Sequence, residues 1–310
     1  VHGRAHAGAG DGDGSMGAAG HGHIIALMCH DPGTPRPAHR IRHEPRMSLE
    51  YASQGLVGVL TPQANTTVEP ELALLLPSGQ AALAARLVSA RSDIDDRLRE
   101  YFTAEVLAAT IDRFANAPLG VVTAACTGAS YLLGAEAEDR LFGTLSDARG
   151  VPVTNAALAV CAALRALGAS RVALVSPYPE SLTAASAGYW TSRGFAVEAI
   201  ARVNTDPRSF HAIYALSAGS AGDALGQLAA TPADAVVMLG TGMPTLGPIR
   251  RTPRVGAMPV ISCMLALAWQ ASALAAGRAP DADGLSRFVM AEHWGPRFDA
   301  SAGEAGRRTA

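Results

Sequence analysis

The chain has 310 residues, of which 49% are hydrophobic and 17% charged, a composition typical of a globular protein that buries a sizeable core. The formal net charge of -2 gives no electrostatic reason to expect nucleic acid or an acidic membrane surface as a partner. No window approaches the roughly 20 uncharged apolar residues of a membrane span, and the four cysteines have no disulfide spacing. We therefore expect a cytoplasmic protein with reduced thiols.

The first 46 residues differ in composition from the rest, being rich in Gly, Ala, Arg and Pro and holding seven of the nine histidines. This composition predicts a disordered low-complexity tail over residues 1–50. A metal-binding tract is an alternative interpretation of His21, His23, Cys29 and His30. A further alternative is that translation begins at Met47, because regular strand and turn signals start directly after it.

From residue 55 onward, short apolar runs alternate with helical patterns. Residues 55–60 predict a strand, and the acidic residues after the next turn are typical of the first turn of a helix. The stretch 121–130 begins with a short apolar run that stops at a small polar cluster, which predicts a buried strand that delivers Cys126 to a strand-to-helix turn. Residues 152–154 predict the next strand, and residues 155–167 predict the helix after it, with Thr154 as its cap. This alternation predicts a parallel sheet, and ligands bind at the carboxyl ends of such strands.

The second half of the chain repeats the first. Residues 171–178 echo residues 57–63, and residues 235–242 echo residues 121–128, both at an offset of about 114 positions. A duplicated α/β unit gives such a repeat, so we predict two pseudo-symmetric Rossmann-like lobes, each a short parallel sheet flanked by helices. The turns after the echoed strands are then expected to meet in a cleft between the lobes. These turns carry Asn65, Cys126, Tyr178, Gly240 and Thr241.

The same patterns predict how the chain is divided. Residues 51–153 together with 259–294 are expected to form the first lobe, and residues 154–258 the second. The Gly, Ala and Arg content of residues 295–310 predicts a frayed C-terminal tail.

Short motifs follow the predicted strands in a fixed order. They are PQANTTVEPE at 62–71, ACT at 125–127, SPY at 176–178, GTGMPT at 240–245 and PVISC at 259–263. Together they resemble the aspartate/glutamate racemase superfamily, and within it the maleate cis-trans isomerase and arylmalonate decarboxylase branch. The first motif is the strongest and is similar to the strand-to-helix signature of the isomerases. In the fourth, Gly240 stands where the isomerases carry their second cysteine.

The resemblance implies roles for individual residues. Cys126 is implied to be the catalytic thiol, while Asn65, Tyr178 and Asn204 are implied to contact the substrate. Small residues at the strand ends also suit a close approach of backbone N–H groups to a carboxylate. The candidate substrate-binding residues are Asn65, Thr127, Gly128, Tyr178, Asn204, Gly240 and Thr241. Related enzymes further imply a homodimer or higher homo-oligomer, and the expected partner is a small carboxylate.

A single thiol in the cleft limits the reaction. A two-cysteine racemase needs an acid and a base on opposite faces of the substrate. Gly240 can serve as neither, so racemization is not expected unless Cys263 has taken the role of the second thiol. Isomerization of maleate requires thiolate addition, bond rotation and elimination, which Cys126 can perform alone if N–H and hydroxyl donors stabilise the intermediate. We therefore predict a cofactor-independent cis-trans isomerase of a small unsaturated dicarboxylate.

Two alternatives remain open. Decarboxylation of a substituted malonate needs one proton donor, and Cys126 can supply the proton. The resemblance implies that related decarboxylases carry their cysteine at the position of Gly240 instead. Because the second thiol is missing, the chain could also be a catalytically silent carboxylate-binding homologue.

Neither reaction calls for a metal or an organic cofactor, and the chain has no nucleotide-binding fingerprint. Cys161 lies on an apolar helical face, which predicts core packing. Glu71 is expected to be a helix-start residue rather than an acid/base partner. His211 and His293 carry no triad or metal spacing and are expected to be surface or satisfied core residues.

Overall fold

The computed structural model describes residues 49–206, 208 and 211–308, with the backbone alone for 302–308. The tail predicted for residues 1–50, with its His and Cys tract, therefore lies almost wholly outside the described residues. The described chain is an α/β structure in which parallel sheets are flanked by helices, as the alternating pattern predicted. None of its described helices combines the length and the apolar character needed to cross a bilayer.

The strands in the described chain are β1 (Gly55–Pro62), β2 (Gln80–Leu87), β3 (Val121–Ala124), β4 (Val153–Asn155), β5 (Arg171–Ser176), β6 (Ala196–Arg202), β7 (Ala235–Met238), β8 (Arg254–Val255) and β9 (Met258–Ser262). The α-helices are α1 (Val68–Leu75), α2 (Ile94–Tyr101), α3 (Ala104–Ile111), α4 (Gly128–Leu133), α5 (Ala135–Arg149), α6 (Ala156–Ala166), α7 (Glu180–Ser192), α8 (Ala218–Gly226), α9 (Leu246–Arg251), α10 (Cys263–Ala275), α11 (Ala282–Val289) and α12 (Gly295–Arg308). A 3-10 turn at Asp112–Phe114 follows α3.

The strands form two sheets whose first three positions follow the same order. The first sheet has the order β2-β1-β3-β4, and all of its neighbours are parallel. The second has the order β6-β5-β7-β9-β8, in which only β8 and β9 are antiparallel. The echoed segments thus occupy equivalent places, because β1 matches β5 and β3 matches β7. This equivalence confirms the two pseudo-symmetric lobes that the internal repeat predicted.

The two strands that lead into the cleft are fully covered. All four residues of β3 and all four of β7 are buried, as expected for central strands of a parallel sheet with helices on both faces. Their carboxyl ends bring Cys126 and Gly240 to the space between the lobes. The fold therefore places the two echoed turns where open parallel sheets bind ligands.

Helix α10 is apolar around its whole circumference. Twelve of its thirteen residues are buried, and such a helix requires neighbours on every side. It packs against α1 and α6 and against β1 and β3 of the first sheet. Gly55 and Gly120 permit this close approach, because a Cβ at either position would lie 2.5 or 2.7 Å from the carbonyl oxygen of Ala275.

The predicted lobe boundaries are wrong at two points. Residues 259–294 were assigned as a whole to the first lobe, but β9 pairs with β7 through Val236 and Val260 and belongs to the second sheet. Only the helix that follows, α10, packs on the first sheet. The earlier boundary also moves, because β4 pairs with β3 and so extends the first sheet to Asn155.

The C-terminal segment is a helix rather than a frayed tail. Residues 295–308 form α12, and Arg297 Nη2 donates to the carbonyl oxygen of Leu76 at 2.9 Å. Arg250 pairs with Asp299 at 2.8 Å. Composition alone gave the wrong prediction because Ala and Arg are also good helix formers, and contacts with the preceding chain hold the helix in place.

Hydrogen bonds between the lobes fix the loop after β7. Thr241 Oγ1 donates to the carbonyl oxygen of Ala125 at 2.7 Å, and Thr67 Oγ1 donates to that of Gly242 at 2.8 Å. The backbone N–H of Thr245 donates to the Glu71 carboxylate at 2.7 Å. The loop that carries Gly240 is therefore held against the first lobe, next to the turn that carries Cys126.

Candidate active site

Cys126 lies directly after β3, where the chain turns into helix α4. Its side chain is buried, with 4% of the residue exposed, and it lines a cavity between the lobes. The backbone N–H groups of Gly128 and Ala129, at the start of α4, favour the thiolate form of its side chain. Burial raises the pKa of the Cys126 thiol to about 11, against the opposing effect of these two donors. The thiol is therefore protonated at neutral pH in this structure.

The cavity brings most of the predicted residues together. It encloses about 50 Å³ of free space at the carboxyl ends of β3, β5 and β7. The predicted residues that line it are Cys126, Thr127, Gly128, Tyr178, Gly240 and Thr241. The prediction that the echoed turns meet in one cleft is thus confirmed for these positions, while their roles toward a substrate remain predictions.

Two hydroxyl groups lie beside the thiol. Thr127 Oγ1 and Tyr178 Oη are 2.7 Å apart and share a hydrogen bond. The ring of Tyr178 packs edge-on against Tyr131, with the ring centres 5.9 Å apart. Burial raises the pKa of Tyr178 well above its usual value, so its hydroxyl stays protonated and able to donate. Together with the N–H groups at Cys126, this pair is suited to hold a carboxylate.

Gly240 has no side chain to offer from the opposite strand end, and its surroundings restrict one. Its φ is +86°, in the left-handed region that favours glycine. A Cβ placed there would lie 3.3 Å from Tyr178 Oη and 3.3 Å from Pro177 Cγ. The phenol of Tyr178 thus lies beside the place where a second thiol would project.

Cys263 does not replace the missing thiol. It is completely buried and is not among the described residues that line the cavity. Burial raises its pKa to about 12, against the opposing effect of the backbone N–H of Gly240 and the hydroxyl of Thr127. Cys263 therefore lies behind the cavity wall, where it supports Gly240 and Thr127.

The structure places the two predicted asparagines outside the cavity wall. Asn65 is buried, and its Oδ1 accepts from the backbone N–H groups of Thr67 at 2.8 Å and Val68 at 3.2 Å, at the start of α1. Its Nδ2 lies 3.4 Å from Thr241 Oγ1, so it reaches the cavity only through that residue. Asn204 is exposed on the loop after β6 and does not line the cavity. The role of Asn204 toward a carboxylate therefore stays a prediction for a residue outside the cavity lining.

One wall of the cavity was missed by sequence reasoning. Its polar and aromatic residues are Gln63, Arg97, Tyr101, His211 and Tyr214. The rings of His211 and Tyr214 stack, with centres 3.7 Å apart and planes 11° from parallel. A Cβ at Gly242 would lie 2.2 Å from Tyr214 Cδ1, so this glycine is required by the ring. The glycine is the only signal that pointed to a close neighbour here, and it did not identify that neighbour.

Glu71 has a larger part than a helix-start residue. Its carboxylate accepts from the backbone N–H groups of Thr245 at 2.7 Å and Leu246 at 3.3 Å, in the other lobe. Burial raises the pKa of Glu71 to about 7, although these donors favour the charged form. The residue therefore joins the lobes next to the cavity without lining it.

The fold and the site together define a class of protein: two-lobed α/β proteins with a cysteine and several hydrogen-bond donors in the cavity between the lobes. A family model described as arylmalonate decarboxylase matches residues 57–289. The chain belongs to this family, and the resemblance deduced from the strand-end motifs is confirmed.

Two characterised relatives carry two different activities in their names. The arylmalonate decarboxylase of Bordetella bronchiseptica is 26% identical over 254 residues, which cover 77% of this chain and 98% of the relative. The maleate isomerase of Pseudomonas putida KT2440 is 31% identical over 153 residues, which cover 46% of this chain and 60% of that relative. Family members are thus enzymes named for carboxylate substrates, and the chain is similar to both kinds.

Solved structures give the same picture. The maleate isomerase Iso of Pseudomonas putida S16 has a TM-score of 0.59 at 25% identity, covering 69% of this chain and 90% of that one. Unliganded arylmalonate decarboxylase has a TM-score of 0.61 at 23% identity, covering 73% and 94%. A mutant of the Nocardia farcinica maleate cis-trans isomerase with a covalently bound succinylcysteine intermediate has a TM-score of 0.57 at 23% identity, covering 70% and 90%. At 23% identity, the similarity establishes the fold.

Proposed function

We propose that this chain is a cofactor-independent cis-trans isomerase that acts on a small unsaturated dicarboxylate, of the maleate-to-fumarate type. The observation that carries the proposal is the Cys126 thiol in a cavity whose described lining includes no carboxylate and several donors. Support comes from the 31% identity to a maleate isomerase and from the PQANTTVEPE motif at 62–71. The covalent succinylcysteine adduct in a structural relative supports the same use of a thiol.

The size of the cavity supports a small substrate. The centres of water-sized spheres can occupy about 50 Å³ of the cavity, which is room for about four water molecules. Four water molecules take up about 120 Å³ in the liquid, a volume comparable to that of a four-carbon diacid.

The reaction is a reversible addition of the thiol to the double bond. Cys126 Sγ forms a bond to one alkene carbon while the proton of the thiol is delivered to the other, giving a saturated succinyl adduct. The carbon–carbon bond between the two carboxylates is now single and rotates. Elimination from the rotated adduct breaks the carbon–sulfur bond, returns the proton to sulfur and gives the trans diacid.

The protonated thiol is compatible with this scheme. Because burial raises the pKa of Cys126 to about 11, the residue brings both the nucleophilic sulfur and the proton. The N–H groups of Gly128 and Ala129 stabilise the charge that sulfur carries as the proton leaves. Tyr178 Oη and Thr127 Oγ1 stabilise the negative charge that develops on the substrate carboxylate, and Tyr178 or a water molecule relays the proton.

Decarboxylation of a substituted malonate is the second candidate, and the protonated state of Cys126 favours it specifically. Loss of carbon dioxide leaves the bonding electron pair on carbon as an enediolate, which the Cys126 proton then neutralises. Water afterwards restores the proton on sulfur. Since Gly240 supplies no acid, a prochiral malonate is protonated only on the face that Cys126 contacts. Decarboxylases whose cysteine stands at the position of Gly240 protonate the opposite face of the substrate.

Proton NMR of the purified chain with maleate and with a panel of malonates tests both candidates. Fumarate formation without carbon dioxide release is expected. The Cys126→Ser variant is expected to lose at least about 100-fold in rate, and the control Cys161→Ser, whose thiol is buried in α6 away from the cavity, keeps the activity. Carbon dioxide release would favour the decarboxylase, and binding without turnover would identify a silent carboxylate-binding protein.

A further inference from the structure

Arg97 introduces a positive charge into the cavity. It lies on α2 and lines the cavity together with residues of the strand-end turns. Among the described lining residues there is one arginine, no lysine, no aspartate and no glutamate. A guanidinium in a partly enclosed site without a carboxylate is a site for an anion.

The side chain of Arg97 is held in place by the chain before it. Its Nε donates to the carbonyl oxygen of Arg91 at 3.2 Å, and one Nη donates to that of Ser92 at 3.0 Å. These neutral acceptors orient the guanidinium and leave its charge uncompensated. The nearby carboxylate of Asp93 is used elsewhere, because its Oδ1 accepts from the backbone N–H groups of Asp95 and Asp96 at 2.9 and 3.0 Å.

The charge of Arg97 acts within the cavity wall. Burial, and after it the charge of Arg97, holds the pKa of His211 below its usual value. The same charge opposes the burial that raises the pKa values of Tyr101 and Tyr214. The guanidinium thus acts on Tyr101 of its own helix and on two lining residues of another segment, His211 and Tyr214.

The cavity consequently offers two different kinds of donor to an anion. Thr127, Tyr178 and the N–H groups around Cys126 are neutral donors. Arg97, on α2, adds a positively charged donor. We propose that Arg97 binds the second carboxylate of the substrate and makes the cavity selective for dicarboxylates over monocarboxylates of the same length. This proposal rests on the proposed function for the acid class, but not on the reaction at Cys126.

The test compares two ligands that differ in one carboxylate. Maleate and cis-2-butenoate have the same four carbons and the same double bond, and their dissociation constants are measured by calorimetry with the Cys126→Ser chain, which does not turn them over. We expect maleate to bind about 10- to 100-fold more tightly, as for a charge-assisted bidentate pair. Adding Arg97→Gln is expected to reduce this ratio to about threefold or less, mainly by weakening maleate binding.

Two further variants separate recognition from a merely structural role. Arg97→Lys keeps the charge but loses the planar fork, and an intermediate ratio is expected. Arg113→Gln removes an exposed arginine that does not line the cavity, and the ratio stays unchanged. If Arg97 only anchored the loop at 91–92, Arg97→Gln would lower the unfolding midpoint and weaken both ligands equally.

The proposal is overturned if the parent chain shows no preference for maleate, or if the ratio survives Arg97→Gln in a folded protein. Should Arg97→Gln fail to fold, an unchanged ratio in Arg97→Lys overturns it as well. The proposed function fails separately, if the chain with Cys126 intact binds maleate but forms no fumarate. In that case a collapse of the ratio still supports Arg97 as the second carboxylate site.

Discussion

Gly240 explains why the cavity differs chemically between its two sides. The equivalent turn of the other lobe carries Cys126, whereas here the positive φ and the phenol of Tyr178 leave little room for a side chain. A substitution must therefore strain the backbone and shift the Tyr178 hydroxyl slightly. The chemical difference between the two sides of the cavity therefore depends on the conformation of the loop after β7 as well as on the identity of residue 240.

Restoring a thiol at this position is expected to be harmful. Gly240→Cys should destabilise the chain by about 1–2 kcal/mol, because a non-glycine residue is strained at this φ and its Cβ meets Tyr178 Oη. Urea unfolding measures the change. Gly143→Ala is a matched control, since a Cβ there meets no atom within 4 Å and the site is within α5, so it should be neutral or stabilising by up to about 1 kcal/mol. A Gly240→Cys chain as stable as the parent would contradict the strain.

The sequence predicted the residues that come directly after a strand. Cys126, Thr127 and Tyr178 were found because the end of a short buried strand is a fixed point in an α/β fold. Arg97 and Tyr214 were missed because a helix and a loop bring them to the cavity through tertiary packing. No local pattern distinguishes such an arginine from one on a solvated helix face.

At the scale of elements, Glu71 links the first helix of one lobe to the loop before α9 of the other. The folded chain holds its pKa near 7, above the ordinary 4.5. The folded state thus binds more protons at Glu71 than the unfolded state between these values, so the contribution of Glu71 to stability is greatest below pH 4.5 and is lost as the pH rises through 7. The total effect is about 3 kcal/mol.

The Glu71→Gln variant tests this linkage. An amide keeps the acceptor for the N–H groups of Thr245 and Leu246 but cannot ionise, so its unfolding free energy should fall less than that of the parent between pH 5 and pH 8. The difference is measured by urea unfolding at both values. Glu69→Gln, which removes a surface carboxylate paired with Arg86 at 2.5 Å, should retain the pH dependence of the parent. Parallel pH profiles for Glu71→Gln and the parent would refute the linkage.

Helices and strands were predicted well where the hydrophobic periodicity and the capping residues agree. They were predicted poorly where contacts with distant segments determine the structure. The helix after β4 was expected to start at residue 155 with Thr154 as its cap, whereas Asn155 is the cap, since its Oδ1 accepts from Ala157 and Leu158. That error is one residue. The error at β9 is larger in consequence, because strand pairing is determined by the other lobe and cannot be deduced from an apolar run of five residues.

At the scale of the molecule, a buried polar cluster joins the lobes away from the cavity. Glu138 on α5 is completely buried, and it pairs with Arg193 and accepts from Tyr189 Oη at 2.6 Å, both at the end of α7 or just after it. Asn155 Nδ2 donates to the same carboxylate at 2.8 Å. The Glu138 carboxylate therefore keeps its cation and its phenol donor only while the two lobes are in contact.

Arg193→Met should lower the unfolding free energy by about 3–5 kcal/mol, because it leaves the Glu138 carboxylate buried without a cation. Urea unfolding provides the value. The pair of changes Glu138→Gln with Arg193→Met should recover much of the loss, since the uncompensated charge is then gone. Arg140→Met, which breaks an exposed pair on the same helix α5, should have little effect. A loss below about 1 kcal/mol for Arg193→Met would show that the lobes do not depend on the cluster.

The two-lobed architecture was the most predictable property of the whole molecule, because duplication leaves a repeat that needs no knowledge of side-chain contacts. The cluster at Glu138 was not predicted. Its members are separated along the chain, and a glutamate within a helix has the same sequence signature whether it faces water or another lobe.

The position of α10 has a consequence for how the protein is made. Ribosomes deliver the first sheet early, yet the helix that covers β1 and β3 follows β9, the last parallel strand of the second sheet. Gly55 and Gly120 pack closely against the carbonyl group of Ala275, which lies more than 150 residues further along the chain. The nascent first lobe must therefore leave one apolar face uncovered until nearly the whole chain has emerged. A chaperone that shields such a face during synthesis would matter more for this protein than for one whose lobes are each completed in turn.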